Sequence, residues 1–314
     1  METTAIVIEG PHRLGLQRLA LESTGGADEI VVEVSWSGIS TGTERLLWSG
    51  RMPPFPGLGY PLVPGYEAVG RVIAAGDAAA ALRGRAVYVP GANCYGPVRG
   101  LFGGSARRLV TRADKVVPLA DDADERATLL ALTATAWHAL GGADCQLPDL
   151  IVGHGVLGRL LARLTLARGG EPPVVWERSA ARRGGAHGYT VVDPDTDARR
   201  DYRCIVDASG APDLLDTLVQ HLAPRGEIVL AGFYAERVGF AFPPAFMKEI
   251  RLRVAAEWQR ADLDTVNAMV AAGSVSLDDL ITHRAPATAA ADAYPTAFED
   301  HSCLKMVLDW RNVA

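Results

Sequence analysis

Apolar residues change their spacing along the chain near residue 122. Before that point they fall in short runs of β-branched residues. Residues 4–9 and 29–36, the latter EIVVEVSW, read as strands, and strands resume in EAVGRVIAAG and RAVYVP. Residues 49–66, SGRMPPFPGLGYPLVPGY, carry five prolines and four glycines, which forbid a long helix or a central strand. GANCYGPVRGLFGGS forms a second irregular stretch. The first third is therefore β-rich and loop-rich, closer to a small barrel or sandwich than to an α/β unit.

Beyond residue 122 the spacing turns helical. DADERATLLALTATAWHAL starts acidic and repeats its apolar residues at helical intervals. DLIVGHGVLGRLLARLTLARGG then reads as a short apolar strand, a glycine-rich turn and an amphipathic helix closed by Gly169 and Gly170. VVWER, YTVVD, CIVDASG and GEIVLAGF read as further strands, with a helix over 212–222 before the last of them. Strands this short and apolar, alternating with helices, predict a parallel sheet covered on both faces. LDTVNAMVAAG predicts one more helix, and LDDLITH a return to the first domain.

Charge and composition narrow the function. The net charge of −6 leaves no broad basic surface to neutralise phosphates, so no nucleic-acid partner is expected. No uncharged apolar run reaches 18 residues, so the chain is expected not to span a membrane. The opening METTAIVIEGPHRL has no basic stretch followed by an apolar one, which predicts a cytoplasmic protein. Cys94, Cys145, Cys204 and Cys303 lie far apart, without metal-ligand spacing, and read as reduced thiols.

Gly153, His154, Gly155, Val156, Leu157 and Gly158 spell GxGxxG between a predicted strand and a predicted helix. In that setting the first glycine permits the turn, the second lets backbone approach a pyrophosphate, and the third lets helix and strand pack. Free N–H groups at the helix start favour the anionic phosphates. Glu177 follows Gly158 by 19 residues, at the end of the next strand. A carboxylate there accepts both ribose hydroxyls and repels a 2′-phosphate, so NAD is the expected cofactor. Arg178, Arg182 and Arg183, close behind it, are the residues that could tolerate NADP.

With that motif placed, SGISTGTE, PLVPGYEAVGRV, CIVDASG and APRGEIVLAGF resemble the medium-chain dehydrogenase/reductase family from end to end. The resemblance implies an α/β protein: a GroES-like β-rich catalytic domain, 1–121 with 271–314, and a Rossmann doubly wound parallel sheet over 122–270. It implies a homodimer. By family position it also implies cofactor contacts at Thr135, at Ala208, Ser209 and Gly210, at Ala231, Gly232 and Phe233, and at Lys305 near the pyrophosphate. Zinc members of the family carry a cysteine where this chain has Ser40, or Thr41 under a shifted alignment, and a histidine where it has Tyr66. Glu67 is kept, and Ala131 stands at the third ligand position. Hydroxyls and phenols are poor zinc ligands at neutral pH, so no metal is expected.

SGISTGTERLLWSGRMPPFPGLGYPLVPGYE, PGANCYGPVRGLFGGSARRLV and DLIVGHGVLGRLLARL more closely resemble the branch of that family acting on bacteriochlorophyll precursors. This implies oxidation of the 3-(1-hydroxyethyl) group of a bacteriochlorophyllide to 3-acetyl, with NAD as acceptor. Such a reaction must place the carbinol hydrogen at the nicotinamide, release the hydroxyl proton and stabilise the forming carbonyl oxygen. Ser40, Thr43 and Tyr66 are the candidates to hold that oxygen, and Glu67 or Glu44 the final base. Trp48, Phe55, Tyr60 and Phe102 are candidates for an apolar wall against a flat macrocycle, and Arg51 for its propionate, with Arg45 and Arg99 beside it. Two other readings stay open: a zinc-free NAD(P)H-dependent quinone or enone reductase, and a non-catalytic pigment-binding protein.

Overall fold

The computed structural model describes residues 1–142 and 144–313. They divide into two compact units, Met1–Ala131 with Leu277–Ala314, and Leu132–Ser276.

The first unit is built on strand Glu29–Ile39. Its side chains alternate between buried and half-buried over much of its length, the period expected of a strand with one face on a core. Ala68–Ala75, Arg108–Arg112 and Met306–Asp309 each pair with it antiparallel, so the returning chain end completes a seven-stranded sheet. Val32, Val34, Leu109, Leu308 and Trp310 lie in its core. A second sheet takes Arg13–Ala20, Glu2–Gly10, Leu62–Val63 and Arg99–Gly100. The proline-rich segment contributes only the two residues Leu62–Val63 to any strand, as its composition requires.

The second unit is a six-stranded parallel sheet. Numbered along this unit, its strands Leu150–Val152, Val174–Trp176, Thr190–Val192, Tyr202–Asp207, Leu222–Leu230 and Arg251–Val254 lie in the order third, second, first, fourth, fifth, sixth. That is the doubly wound dinucleotide-binding order. Leu150–Val152 is buried throughout, as a strand covered on both faces must be. Helix Val156–Ala167 departs from the amphipathic pattern expected for it, because Arg159 and Arg163 are buried with its leucines. Their guanidiniums donate to backbone: Arg159 to the carbonyls of His154, Arg182, Gly184 and Gly185, and Arg163 from Nη1 to that of Ser276. A periodicity argument treats arginine as solvent-facing and misses this.

Candidate active site and dinucleotide site

In the second unit the glycine turn has the geometry its sequence demands. Gly153 has φ +97°, a left-handed conformation open to glycine at little cost. A Cβ on Gly158 would lie 1.8 Å from the Gly153 carbonyl oxygen, so the helix can approach the strand only without one. A Cβ on Gly155 would meet nothing within 4 Å. Gly155 also caps helix Val156–Ala167 without any side-chain hydrogen bond, so Val156 and Leu157 begin a helix whose first N–H groups lack a side-chain acceptor. Open space over uncapped N–H groups is what a pyrophosphate needs, and these residues fit the dinucleotide.

Glu177 follows strand Val174–Trp176. Its carboxylate accepts the N–H of His154 at 3.2 Å and that of Ser179 at 2.8 Å, which ties it to the glycine turn. Arg178 is exposed. The His154 imidazole is fully buried: Nδ1 donates to the Arg182 carbonyl at 2.6 Å, and Nε2 accepts from the Tyr189 hydroxyl at 2.9 Å. Burial lowers its pKa and keeps it neutral. Its part in the site is therefore its backbone, while its ring braces the loop that ends at Gly185.

The structure brings three strand ends together. Gly153 lies against Ser209, and Gly210, at φ +70°, lies against the Phe233 carbonyl. Asp207, 1% exposed, joins the last two ends. Its carboxylate accepts the N–H and Oγ–H of Ser209 at 2.8 and 2.6 Å and the Tyr234 hydroxyl at 2.8 Å. Its carbonyl accepts the N–H groups of Ala231 and Gly232. Burial pushes the Asp207 pKa up, and those donors oppose the shift. Asp207 and Tyr234 were not singled out from the sequence, although Asp207 sits inside CIVDASG. Ala208 donates to the Val152 carbonyl, Phe233 is 56% exposed, and Thr135 is half-buried on helix Leu130–Leu140.

In the first unit a second group forms where strand Glu29–Ile39 ends. Ser40 Oγ and the Tyr66 hydroxyl are 2.6 Å apart, and Thr43 also hydrogen-bonds the Tyr66 phenol. Burial and the nearby Glu67 carboxylate raise the Tyr66 pKa, so the phenol stays protonated. Glu44, 1% exposed, accepts the Ser40 N–H at 3.0 Å and the Tyr294 hydroxyl at 2.6 Å. Burial raises its pKa to about 7. Phe102 stands edge-on to Tyr66, ring centroids 5.7 Å apart.

Glu67 and Lys305 form an ion pair, both almost completely buried. The second Glu67 oxygen, Oε1, has no hydrogen-bond partner. The pair fits because Gly38 has no side chain: a Cβ there would lie 2.1 Å from Glu67 Oε2 and 2.9 Å from the Lys305 stem. Lys305, expected at the pyrophosphate, thus spends its charge on a carboxylate of the first unit.

The proline-rich segment packs around Leu47 and Leu62. Trp48, Met52, Leu58, Tyr60 and Leu101 surround them, and the Tyr60 hydroxyl donates to the Leu47 carbonyl. Phe55 is half-buried, and exposed Arg51 donates from Nε to Ser49 Oγ at 3.2 Å.

Residues 26–121 match the alcohol dehydrogenase GroES-like domain. Over 98% of both chains, the structure is similar to L-idonate 5-dehydrogenase from Escherichia coli, with a TM-score of 0.86 at 20% identity. A short chain alcohol dehydrogenase from E. coli CFT073, solved with NADH, gives 0.84 at 21% identity over 98% of this chain and 99% of that one. In sequence the chain is 59% identical, over 100% of both, to the 2-desacetyl-2-hydroxyethyl bacteriochlorophyllide A dehydrogenase of Cereibacter sphaeroides. It is 58% identical to the protein of that name from Rhodobacter capsulatus, over 99% of each. A fungal relative, D-arabinitol dehydrogenase 1 of Uromyces fabae, is 24% identical over 82% of this chain and 83% of its own. With its GroES-like unit and six-stranded Rossmann sheet, the chain belongs to the medium-chain dehydrogenase/reductase family. Within it, the chain belongs with the bacteriochlorophyllide dehydrogenases of bacteriochlorophyll biosynthesis.

Proposed function

We propose that the chain oxidises the 3-(1-hydroxyethyl) group of a bacteriochlorophyllide to a 3-acetyl group, using NAD. The observation that carries this is the 59% identity, end to end, to a dehydrogenase named for that substrate. A nicotinamide dinucleotide held at Gly153–Gly158 and Glu177 supplies the acceptor for the carbinol hydride. Glu177 supports NAD over NADP, since its carboxylate would face a 2′-phosphate.

The carbinol proton is the task of this chain's own hydroxyls. Tyr66 and Ser40, 2.6 Å apart, offer two adjoining groups to hold the substrate oxygen. Burial and the Glu67 carboxylate raise the Tyr66 pKa. A phenol that cannot ionise works as a relay, giving up one proton as it takes another. Thr43, half-buried and bonded to the phenol, is the relay's outward end, and water is the final acceptor. Glu44 and Glu67 touch neither the Tyr66 hydroxyl nor Ser40 Oγ; Glu44 is bonded to the Ser40 backbone N–H and to Tyr294, and Glu67 to Lys305. We therefore place both carboxylates behind the relay.

The donors do not fit zinc. Two of the family's ligand positions hold a hydroxyl and a phenol, and Lys305 occupies the Glu67 carboxylate. Among the described residues no cluster of three or more His, Cys, Asp or Glu side chains could hold a metal ion. The reaction is accordingly assigned to the hydroxyl pair. A carbinol carbon attached to a conjugated macrocycle makes that easier, because the ring delocalises positive charge as hydride departs.

No helix of the described residues is long and apolar enough to cross a membrane, and we place the enzyme in the cytoplasm. We also propose a homodimer. Edge strand Arg251–Val254 leaves Leu252 and Val254 exposed, and helix Phe242–Lys248 beside it exposes Phe242, Phe246 and Met247. A second copy pairing along that edge would cover them. Spectrophotometric turnover of the hydroxyethyl pigment with NAD tests the function. Absence of both the pigment shift and NAD reduction would overturn it.

A further inference from the structure

The first unit carries a cavity of about 280 Å³ that the hydroxyl site does not use. It follows from the short helix Thr43–Ser49, which buries Glu44 and Leu47 and so turns Arg45 and Trp48 to another side. Gly50 ends the helix at φ +71°, and the N–H of Arg51 returns to the Leu46 carbonyl at 3.0 Å. That turn folds Arg51 back beside Arg45. The walls are Trp48 with the His12 ring edge-on at 4.2 Å and Phe298 tilted at 5.5 Å.

Among the described residues of this unit some arginines are ion-paired and others, such as Arg13, Arg18 and Arg99, are not. Elsewhere in the unit Arg107 and Arg108 pair with Glu33, Arg112 with Asp28 and Asp114, Arg284 with Glu125, and Arg311 with Asp309. Among the described residues Arg45 and Arg51 have no ion-pair partner, and the one hydrogen bond of the two side chains runs from Arg51 to Ser49. Glu299 lines the same cavity and is paired with neither of them. Two guanidiniums against one carboxylate leave the cavity positive on a chain of net charge −6. Two unpaired forks above an aromatic wall suit a carboxylate carried by a flat apolar body.

We propose that this cavity is a carboxylate subsite, in which Arg45 and Arg51 hold the propionate of the tetrapyrrole while Trp48 and Phe298 flank its ring edge. The proposal rests on the substrate reading above and deepens it. The helix that bears the subsite also bears Thr43, which bonds Tyr66. Trp48 lies five positions after Thr43, about 7.5 Å along a helix axis. One macrocycle with its propionate arm can therefore address both ends.

The test compares 3-hydroxyethyl bacteriochlorophyllide as the free acid with its propionate methyl ester, on wild type, R45Q, R51Q and the double variant. The wild type is expected to prefer the acid about tenfold in kcat/KM, chiefly through KM, and the double variant to bring that acid-to-ester ratio close to one. A wild type that treats acid and ester alike overturns the proposal, whatever the variants do. So does a double variant that keeps the wild-type ratio. Turnover of the ester by the wild type separates this question from the activity itself. If neither pigment is oxidised, the activity reading fails. The same acid-to-ester ratio, measured by quenching of tryptophan emission, then decides the subsite.

Discussion

The Tyr294 hydroxyl donates to Glu44 at 2.6 Å across 250 positions of sequence. That bond closes the back of the hydroxyl site. Glu44 in turn fixes the backbone of Ser40, whose Oγ meets Tyr66. One contact between helices Thr43–Ser49 and Ala290–Glu299 thus sets where the Ser40 and Tyr66 hydroxyls stand.

Tyr66→Phe removes the relay's middle hydroxyl while keeping the ring that faces Phe102. Loss of a positioned proton-transfer group costs about 10²-fold or more in kcat, with little change in KM. Ser40→Ala should fall in the same range, and the double variant should lose little more than either single one. Steady-state kinetics check this; full turnover in Tyr66→Phe would remove the phenol from the path.

Glu44 ties stability to pH. Its carboxyl titrates near 7 when folded, against 4.5 in an unperturbed side chain, so the unfolded chain binds fewer protons between those values. The group's contribution is complete below about pH 4.5 and is lost as pH rises through about 7, a change of order 3 kcal/mol. Glu44→Gln keeps an acceptor for the Ser40 N–H and cannot ionise. Its denaturant midpoint should gain on that of wild type between pH 5 and pH 8. Parallel pH curves for the two proteins would contradict the buried, raised carboxyl.

Lys305 is paired with Glu67 in the core, which predicts a part in stability. Lys305→Met strands the Glu67 carboxylate in the core and should cost about 3–5 kcal/mol. Lys305→Met with Glu67→Gln should recover much of that, because no bare charge remains. Denaturant unfolding of both variants checks it. A Lys305→Met protein of normal stability but weakened NAD binding would return this lysine to the cofactor.

The two later glycines of the turn should fail differently. Gly158→Ala drives a Cβ into the Gly153 carbonyl and should unfold or distort the second unit. Gly155→Ala meets open space, so the melting temperature should hold while the Kd for NAD rises about tenfold or more. Calorimetric titration and thermal melts separate the two effects. Undiminished NAD affinity in Gly155→Ala would place the pyrophosphate elsewhere.

Much of the fold could be read from local pattern. LIV and CIVD announce buried parallel strands, and GHGVLG between strand and helix announces the turn, because those signals depend on neighbours in sequence. Ser40, Thr43 and Tyr66 were legible as a group only through the family they resemble. What stayed hidden were partnerships fixed by distant register. Strand Met306–Asp309 pairs with Glu29–Ile39 so that Met306 faces Ile39, and this carries Lys305 beside the side-chain-free Gly38 and onto Glu67. Nothing near Lys305 in sequence indicates a buried carboxylate. The bonds of Arg159 and His154 were hidden for a related reason: most of the carbonyls they donate to lie at 182–185, more than twenty positions on, at the end of the short 3-10 turn Ala180–Arg182.

In the reaction proposed above NAD oxidises a bacteriochlorophyllide alcohol while hydroxyls, without a metal, take up its proton. The most direct measurement follows the visible spectrum of 3-hydroxyethyl bacteriochlorophyllide mixed with chelator-treated enzyme and NAD, with NADP in a parallel cuvette. The account predicts a shift of the pigment band to the acetyl product, matched one for one by nicotinamide reduction, and faster with NAD. A reaction that starts only when zinc is restored, or a pigment that never shifts, would contradict it.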